Sequence, residues 1–228
     1  MIYWASIGGM SDSEIQKKNL EFAAQKLVSC ELRGEFFVYV IPANEIFHMC
    51  KPGSIYMESS PTTAHTFAGK VSLLMEEQVL ASPYGYVLRV MPAIDGKLIL
   101  PIIKNIANGD YRGHTLLDSS FQFSSTSIIN DCAKFIEAQE DEELRHIRLR
   151  HVFSATRFSL SYIAYYLLGE DHGIEFNDNG DEVIVDMPSS LRSMHAGRMV
   201  HHLAQTCLMA GEQQLETVKC QIVKSMLE

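Results

Sequence analysis

The run 189–226 constrains this chain more than any other stretch. Met194, His201, Leu208, Leu215, Ile222 and Met226 belong to an apolar series that recurs at alternating steps of three and four, which sets its members on one face of a helix. Pro188 precedes the run, and Ser189 and Ser190 are candidate caps. Glu212, Gln213, Glu216, Lys219 and Lys224 fall on the opposite face, as on a solvated surface. A helix this long cannot shelter its own apolar stripe, so the pattern predicts packing against the rest of the chain or a second copy. Leu208, Leu215, Val218 and Ile222 are the expected interface, with a spacing over the last turns compatible with a self-associating helix.

Upstream, the apolar start 1–7 reads as a strand broken at Gly8-Gly9. Ser11 and Glu14 then form a capping box, and a helix runs to about residue 32. Strands are expected over 36–41, 46–49, 54–57, 84–91 and 98–103, the last two joined through the hairpin signal Asp95-Gly96. A helix is expected from 61 to about 80 and a polar loop over 105–117. Beyond residue 118 the spacing predicts helices over 124–138 and 141–168, a hairpin over 173–186 and the long final helix. The fold class expected is therefore α+β. A mixed half, 1–117, carries a small, mostly antiparallel sheet and two helices, and packs on a mainly helical half, 118–228, that shares its core.

Composition narrows the function classes. A net charge of −9 argues against an extended basic nucleic-acid face. The five cysteines are odd in number and contain no CxxC pair, the usage of reduced thiols in a cytoplasmic protein. No secretory leader is visible, and no apolar stretch approaches the length of a membrane span. Glu-x-x-His occurs at Glu45–His48 and Glu143–His146, but nine histidines make about one such pair a chance event. Neither a metal nor a cofactor is expected.

Three constellations carry candidate chemistry. The Gly8-Gly9 turn before a capped helix is a place for a nucleotide or phosphate ligand, although the chain holds neither the P-loop nor the three-glycine dinucleotide fingerprint. His195, Arg198 and His202 share one side of the long helix, as an anion-binding group would. The heptapeptide from Arg145 to His151 resembles the Arg-x(4–6)-His element of HEPN ribonucleases. That resemblance implies paired helical domains and metal-free RNA cleavage, with His151 in acid–base work and Arg145 steadying phosphate. Without a coherent catalytic set, the leading expectation is a non-enzymatic cytosolic protein that acts through protein contact. Its expected partner is itself, through the C-terminal helices; RNA is the partner only under the ribonuclease alternative.

Overall fold

The computed structural model describes residues 1–5, 10–47, 55–93, 99–118, 120–138, 146–153, 157–170, 173–177, 190–191, 216 and 219–220. Its centre is a four-stranded sheet of β1 (Ile2–Trp4), β2 (Phe37–Pro42), β4 (Gly85–Val90) and β7 (Leu149–Val152), in the order β1-β2-β4-β7. All three pairings are parallel, with Tyr3 opposite Tyr39, Val40 opposite Leu88 and Arg89 opposite His151. The first crossover is one long helical segment: α1 (Asp12–Gln16), a π-helical stretch Lys17–Phe22, and α2 (Ala23–Arg33). It ends on Gly34 at φ 65°, the left-handed position that favours glycine. The second crossover holds α3 (Ala43–Ile46), β3 (Ile55–Tyr56) and α4 (Phe67–Ala81). The third holds α5 (Ile99–Asn108), β5 (Thr115–Leu117), β6 (Ser120–Phe121) and α6 (Thr126–Ala138). After β7 come β8 (Phe158–Ser159), α7 (Leu160–Leu168), β9 (Glu175–Asn177) and β10 (Ser190–Leu191).

Side chains alternate across a strand, and here each side finds a helix. Phe37, Tyr39, Ile41 and Val87 pack with Leu27, Cys30, Met75 and Val79 of α2 and α4. Val38, Val40, Leu88 and Val152 pack with Ile128, Ile129, Ala133 and Ile136 of α6. A smaller core joins Ile99, Ile103 and Ile106 of α5 to Leu116, Phe123, Phe158, Ile163 and Ile174.

This is an α/β architecture, and it corrects the expected α+β fold with an antiparallel sheet. Every residue of β4 is buried, as is every residue of β2 but the last, because helices cover both faces; continuous burial of that kind belongs to parallel sheets. The strand expected over 98–103 is the start of α5. Pro101 sits in its first turn, where a helix tolerates the missing N–H. The single helix expected over 141–168 is instead β7 followed by β8 and α7, the last capped by Ser159, whose side chain accepts from the Tyr162 amide at 3.1 Å. Of the hairpin over 173–186, Glu175–Asn177 pairs in parallel with β5, and 178–186 lie outside the described residues. Ser190 and Leu191 are extended and pair with β3, where the first turn of the long helix was expected. Of the long helix, Glu216, Lys219 and Cys220 are described, in helical conformation.

The α4–β4 turn is packed backbone to backbone. A Cβ at Gly85 would stand 1.8 Å from the Val79 carbonyl oxygen. Gly85→Ala is expected to cost ~1–3 kcal/mol, the usual range for overpacking, read as a lower urea midpoint with an unchanged slope. A second prediction concerns Tyr39. Burial beside Ser72 pushes its hydroxyl pKa well above the ordinary value. Above pH ~10 a tyrosine in the unfolded chain ionises while Tyr39 in the fold does not, so the unfolded state binds fewer protons and stability falls as pH rises. Replacement by Phe should flatten that alkaline decline in urea titrations at pH 9–11.

Candidate functional site

In open parallel sheets, ligands bind beyond the carboxyl ends of the strands. Here β2 leads from that edge into α3, and β4 leads through Pro92 and Ala93. Ala93 bridges Ser124, and the Ser124 amide donates to the Pro92 carbonyl at 3.0 Å. Ser125 then caps α6, its Oγ accepting from the Ile128 amide at 3.2 Å. On the β2 side, Thr66 caps α4. Its hydroxyl accepts from the Gly69 amide at 2.9 Å and donates to Glu45 Oε2 at 3.0 Å. Two buried polar atoms lie at this edge with no protein partner among the described residues, Asn44 Oδ1 and Ser124 Oγ. Buried oxygens of this kind mark a place where a polar ligand group is welcome.

The helix N-termini at this edge differ in charge. The first turn of α1 holds Asp12 and Glu14. The Ser11 amide and hydroxyl both donate to Glu14 Oε2, at 2.8 and 2.6 Å. These hydrogen bonds hold the Glu14 carboxyl below its usual pKa. The anion place at that terminus is filled by the chain itself. The first turn of α6 carries no acid, so its dipole favours an anion there.

Beneath the edge lies a buried charged group. Arg89 of β4 is gripped by Glu76 of α4, with Nε to Oε2 at 3.0 Å and Nη2 to Oε1 at 2.6 Å. Nη1 donates to the Glu58 carbonyl at 3.2 Å, and the guanidinium carbon stands 5.5 Å from the centre of the Phe47 ring. His151, opposite Arg89 in register, meets the same ring edge-on at 5.8 Å, and its amide donates to Glu58 Oε1 at 3.3 Å. Arg89, Glu76 and His151 are each under a tenth exposed. A two-pronged pair in so dry a setting is rigid, and it ties α4 and the loop after β3 to the centre of the sheet.

The sequence-derived site residues fall as follows. His151 is 4% exposed inside β7. That placement removes the ribonuclease reading, because a general base for an RNA hydroxyl must be reachable and that family sets its element on helices. Arg145 lies outside the described residues. So do Gly8 and Gly9, the anion group His195, Arg198 and His202, and the interface residues Leu208, Leu215, Val218 and Ile222. The Arg89–Glu76 pair was missed, although an arginine inside Tyr86–Val90 and a glutamate beside Met75 break otherwise apolar runs. A pocket of about 700 Å³ lined by Phe36, Tyr84, Tyr86, His146 and Arg148 opens at the opposite, amino end of the strands. Among the described residues, no helix is long and apolar enough to cross a membrane.

A parallel sheet with helices on both faces and a site region beyond its carboxyl edge defines a Rossmann-like α/β fold. No protein-family model matches the sequence, and no curated protein sequence matches it. Solved structures do. The dTDP-4-dehydrorhamnose reductase of Yersinia enterocolitica is similar at 17% identity over 88% of this chain and 74% of its own, with a TM-score of 0.65. The UDP-glucuronic acid 4-epimerase of Bacillus cereus, in complex with NAD, is similar at 13% identity over 91% and 66%, with a TM-score of 0.61. MoeE5, in complex with UDP-glucose and NAD, is similar at 11% identity over 100% and 80%, with a TM-score of 0.65. At these identities the likeness establishes the fold. That fold is shared with sugar-nucleotide reductases and epimerases, and it overturns the expectation of a non-enzymatic, protein-binding regulator along with the ribonuclease alternative.

Removing one partner of the buried pair should be costly. Arg89→Met is expected to lower stability by ~3–5 kcal/mol, because it strands the Glu76 charge in the core. The double variant Arg89→Met with Glu76→Leu should recover most of that loss. Chemical denaturation of the parent, both single variants and the double variant measures the coupling, and additive losses would show that the two residues act independently.

Proposed function

We propose that this chain binds a nucleotide-linked sugar at the carboxyl edge of its sheet, as part of a reductase or epimerase of sugar nucleotides. The observation that carries the reading is the match of the whole chain to MoeE5, a protein held in complex with UDP-glucose and NAD. Local chemistry supports it. The acid-free N-terminus of α6, with Ser124 and Ser125, suits a diphosphate. Asn44 and Glu45 offer acceptor oxygens to sugar hydroxyls from the β2 side. The buried Arg89–Glu76 pair holds the two sides in fixed relation. Cys30 and Cys132 stand outside any disulfide, in accord with a cytoplasmic location, which we also propose.

NAD or NADP accompanies several of the similar structures, so its fit here matters. The sequence holds no G-x-G-x-x-G, the turn that lets backbone approach a pyrophosphate. The helix after β1 already has the Glu14 carboxylate at its N-terminus. The sheet order also advances one way among the described residues, whereas a dinucleotide lies where strand order reverses. The described residues do not fit the dinucleotide, and no hydride step is assigned to them.

Thermal unfolding tests the reading. UDP-glucose or dTDP-glucose at about 100 times Kd should stabilise the fold by ~2.7 kcal/mol, a rise in Tm of roughly 5–10 °C for a chain of this size. Free glucose should give no shift. Asn44→Ala should weaken the sugar nucleotide about two- to tenfold, the worth of one hydrogen bond. Identical melting curves with and without both sugar nucleotides would end the proposal.

A further inference from the structure

The pocket at the amino end of the strands is separated from the carboxyl edge by the length of the sheet. The six residues of β4 span about 20 Å. Its volume of about 700 Å³ lies within the range of cavities that take small molecules. Helices α2 and α4 end beside it, at Gly34 and Ser82, and β2, β4 and β7 begin there. Its lining is of two kinds. Phe36, Tyr84 and Tyr86 are aromatic, and His146 and Arg148 stand two residues apart just ahead of β7. Phe36 meets Tyr86 edge to face at 5.4 Å and 83°, and Tyr84 at 6.4 Å and 44°. Phe36 and Tyr84 are only half-buried, and the tilt between them is not that of a stacked pair. Ring surface is therefore left for a planar group.

Charge at this end runs against that of the whole chain, whose net value is −9. The acids nearby are engaged already. Glu35 is held by Arg33 at 2.8 Å, and Glu137 by the Met1 amine at 2.8 Å. Arg148 gives one N–H to the Ser82 carbonyl. Its other N–H groups meet no acceptor among the described residues, and His146 has no polar partner among them. Helix C-termini repel an anion, and two of them end here. Their carbonyls are met by the chain itself. The Gly34 and Glu35 amides donate back to Glu31 and Cys30, at 3.0 and 2.9 Å, and the Ser82 carbonyl receives the Gly85 amide as well as Arg148. The charge left without a partner at this end is positive.

We propose that this pocket binds a small planar aromatic anion, with its ring against Tyr84 and Phe36 and its anionic group on Arg148 and His146. The lining selects the two parts together. A ring alone would leave the guanidinium to water, and an inorganic anion alone would meet only a half-exposed cation, where pairing is weak. Carboxylate and phosphate both match the guanidinium fork, and the test separates them. The site does not depend on the sugar-nucleotide reading of the carboxyl edge.

NMR titration of the chain with indole-3-acetate and, separately, with AMP reads the site. A ligand of this size should saturate it with a Kd of about 0.1–1 mM and shift the amides of Gly34, Tyr84 and Arg148, not those of Asn44 and Ser124. Indole, adenosine, acetate and inorganic phosphate should each bind at least about tenfold more weakly. Arg148→Gln should weaken the anion about tenfold or more, and Tyr84→Leu should cost a similar factor through lost stacking, on the order of tenfold. His146 is exposed, so His146→Ala keeps the test open if Arg148→Gln fails to fold, and urea midpoints show which variants keep the fold. Saturation by AMP alone supports a phosphate ligand, and by indole-3-acetate alone a carboxylate. The proposal is overturned by an absence of saturable shifts with both probes up to about 10 mM, or by indole binding as tightly as indole-3-acetate. Shifts confined to the carboxyl edge overturn it too, as does binding that folded Arg148→Gln or His146→Ala leaves unchanged.

Discussion

Two-sided burial of the parallel sheet is the constraint from which the other features follow. Helices α2 and α4 seal one face and α6 the other, so a polar side chain on the central strands has no route to water. Arg89 is tolerated because Glu76 meets it with two hydrogen bonds and Glu58 adds a third from its backbone. Arg150, on the opposite face of β7, bends back to the Ile147 carbonyl at 2.9 Å, and burial lowers its pKa from the usual arginine value. Burial of the pair at Arg89 adds little net stability relative to an apolar pair of the same shape. Its consequence is geometric. It fixes α4 and the loop after β3 against one position of β4, and so holds the carboxyl edge in a single arrangement.

The elements visible in the sequence were those whose signals are local. The box at Ser11 and Glu14, the strand at Phe37–Pro42, the strand at Gly85–Val90 and the helix at Thr126–Ala138 all stand close to where patterning puts them. What patterning could not supply was the partner of each strand. An apolar run of five or six residues is the same string in either kind of sheet, and only the crossover helices decide between them. Asp95-Gly96 drew the next apolar run into a hairpin, although Ile99, Ile103 and Ile106 already had helical spacing.

The site was harder to read, because its residues are set by tertiary contact. In Leu149–Val152 the arginine and histidine alternate to opposite faces and both vanish into the core. In sequence they look like a solvated basic helix face, and a reactive histidine was read into what is a packing position. Asn44 and Ser124 are unremarkable letters. They matter because β2 and β4 end side by side and deliver them to one edge.

The capping box that makes the first helix legible also decides which helix can receive a phosphate. A helix N-terminus attracts negative charge whether it belongs to a ligand or to the chain. At Ser11 the Glu14 carboxylate already occupies that place, held by two hydrogen bonds that a phosphate would have to break. At α6 the cap is a neutral serine, the first turn has no acid, and a buried Ser124 hydroxyl stands beside it. The glycine pair after β1 lies outside the described residues, and the capping carboxylate beside it takes the anion place at that helix start. With that carboxylate included, attraction for an anion moves from the first crossover to the third, next to the strand end where Arg89 is locked.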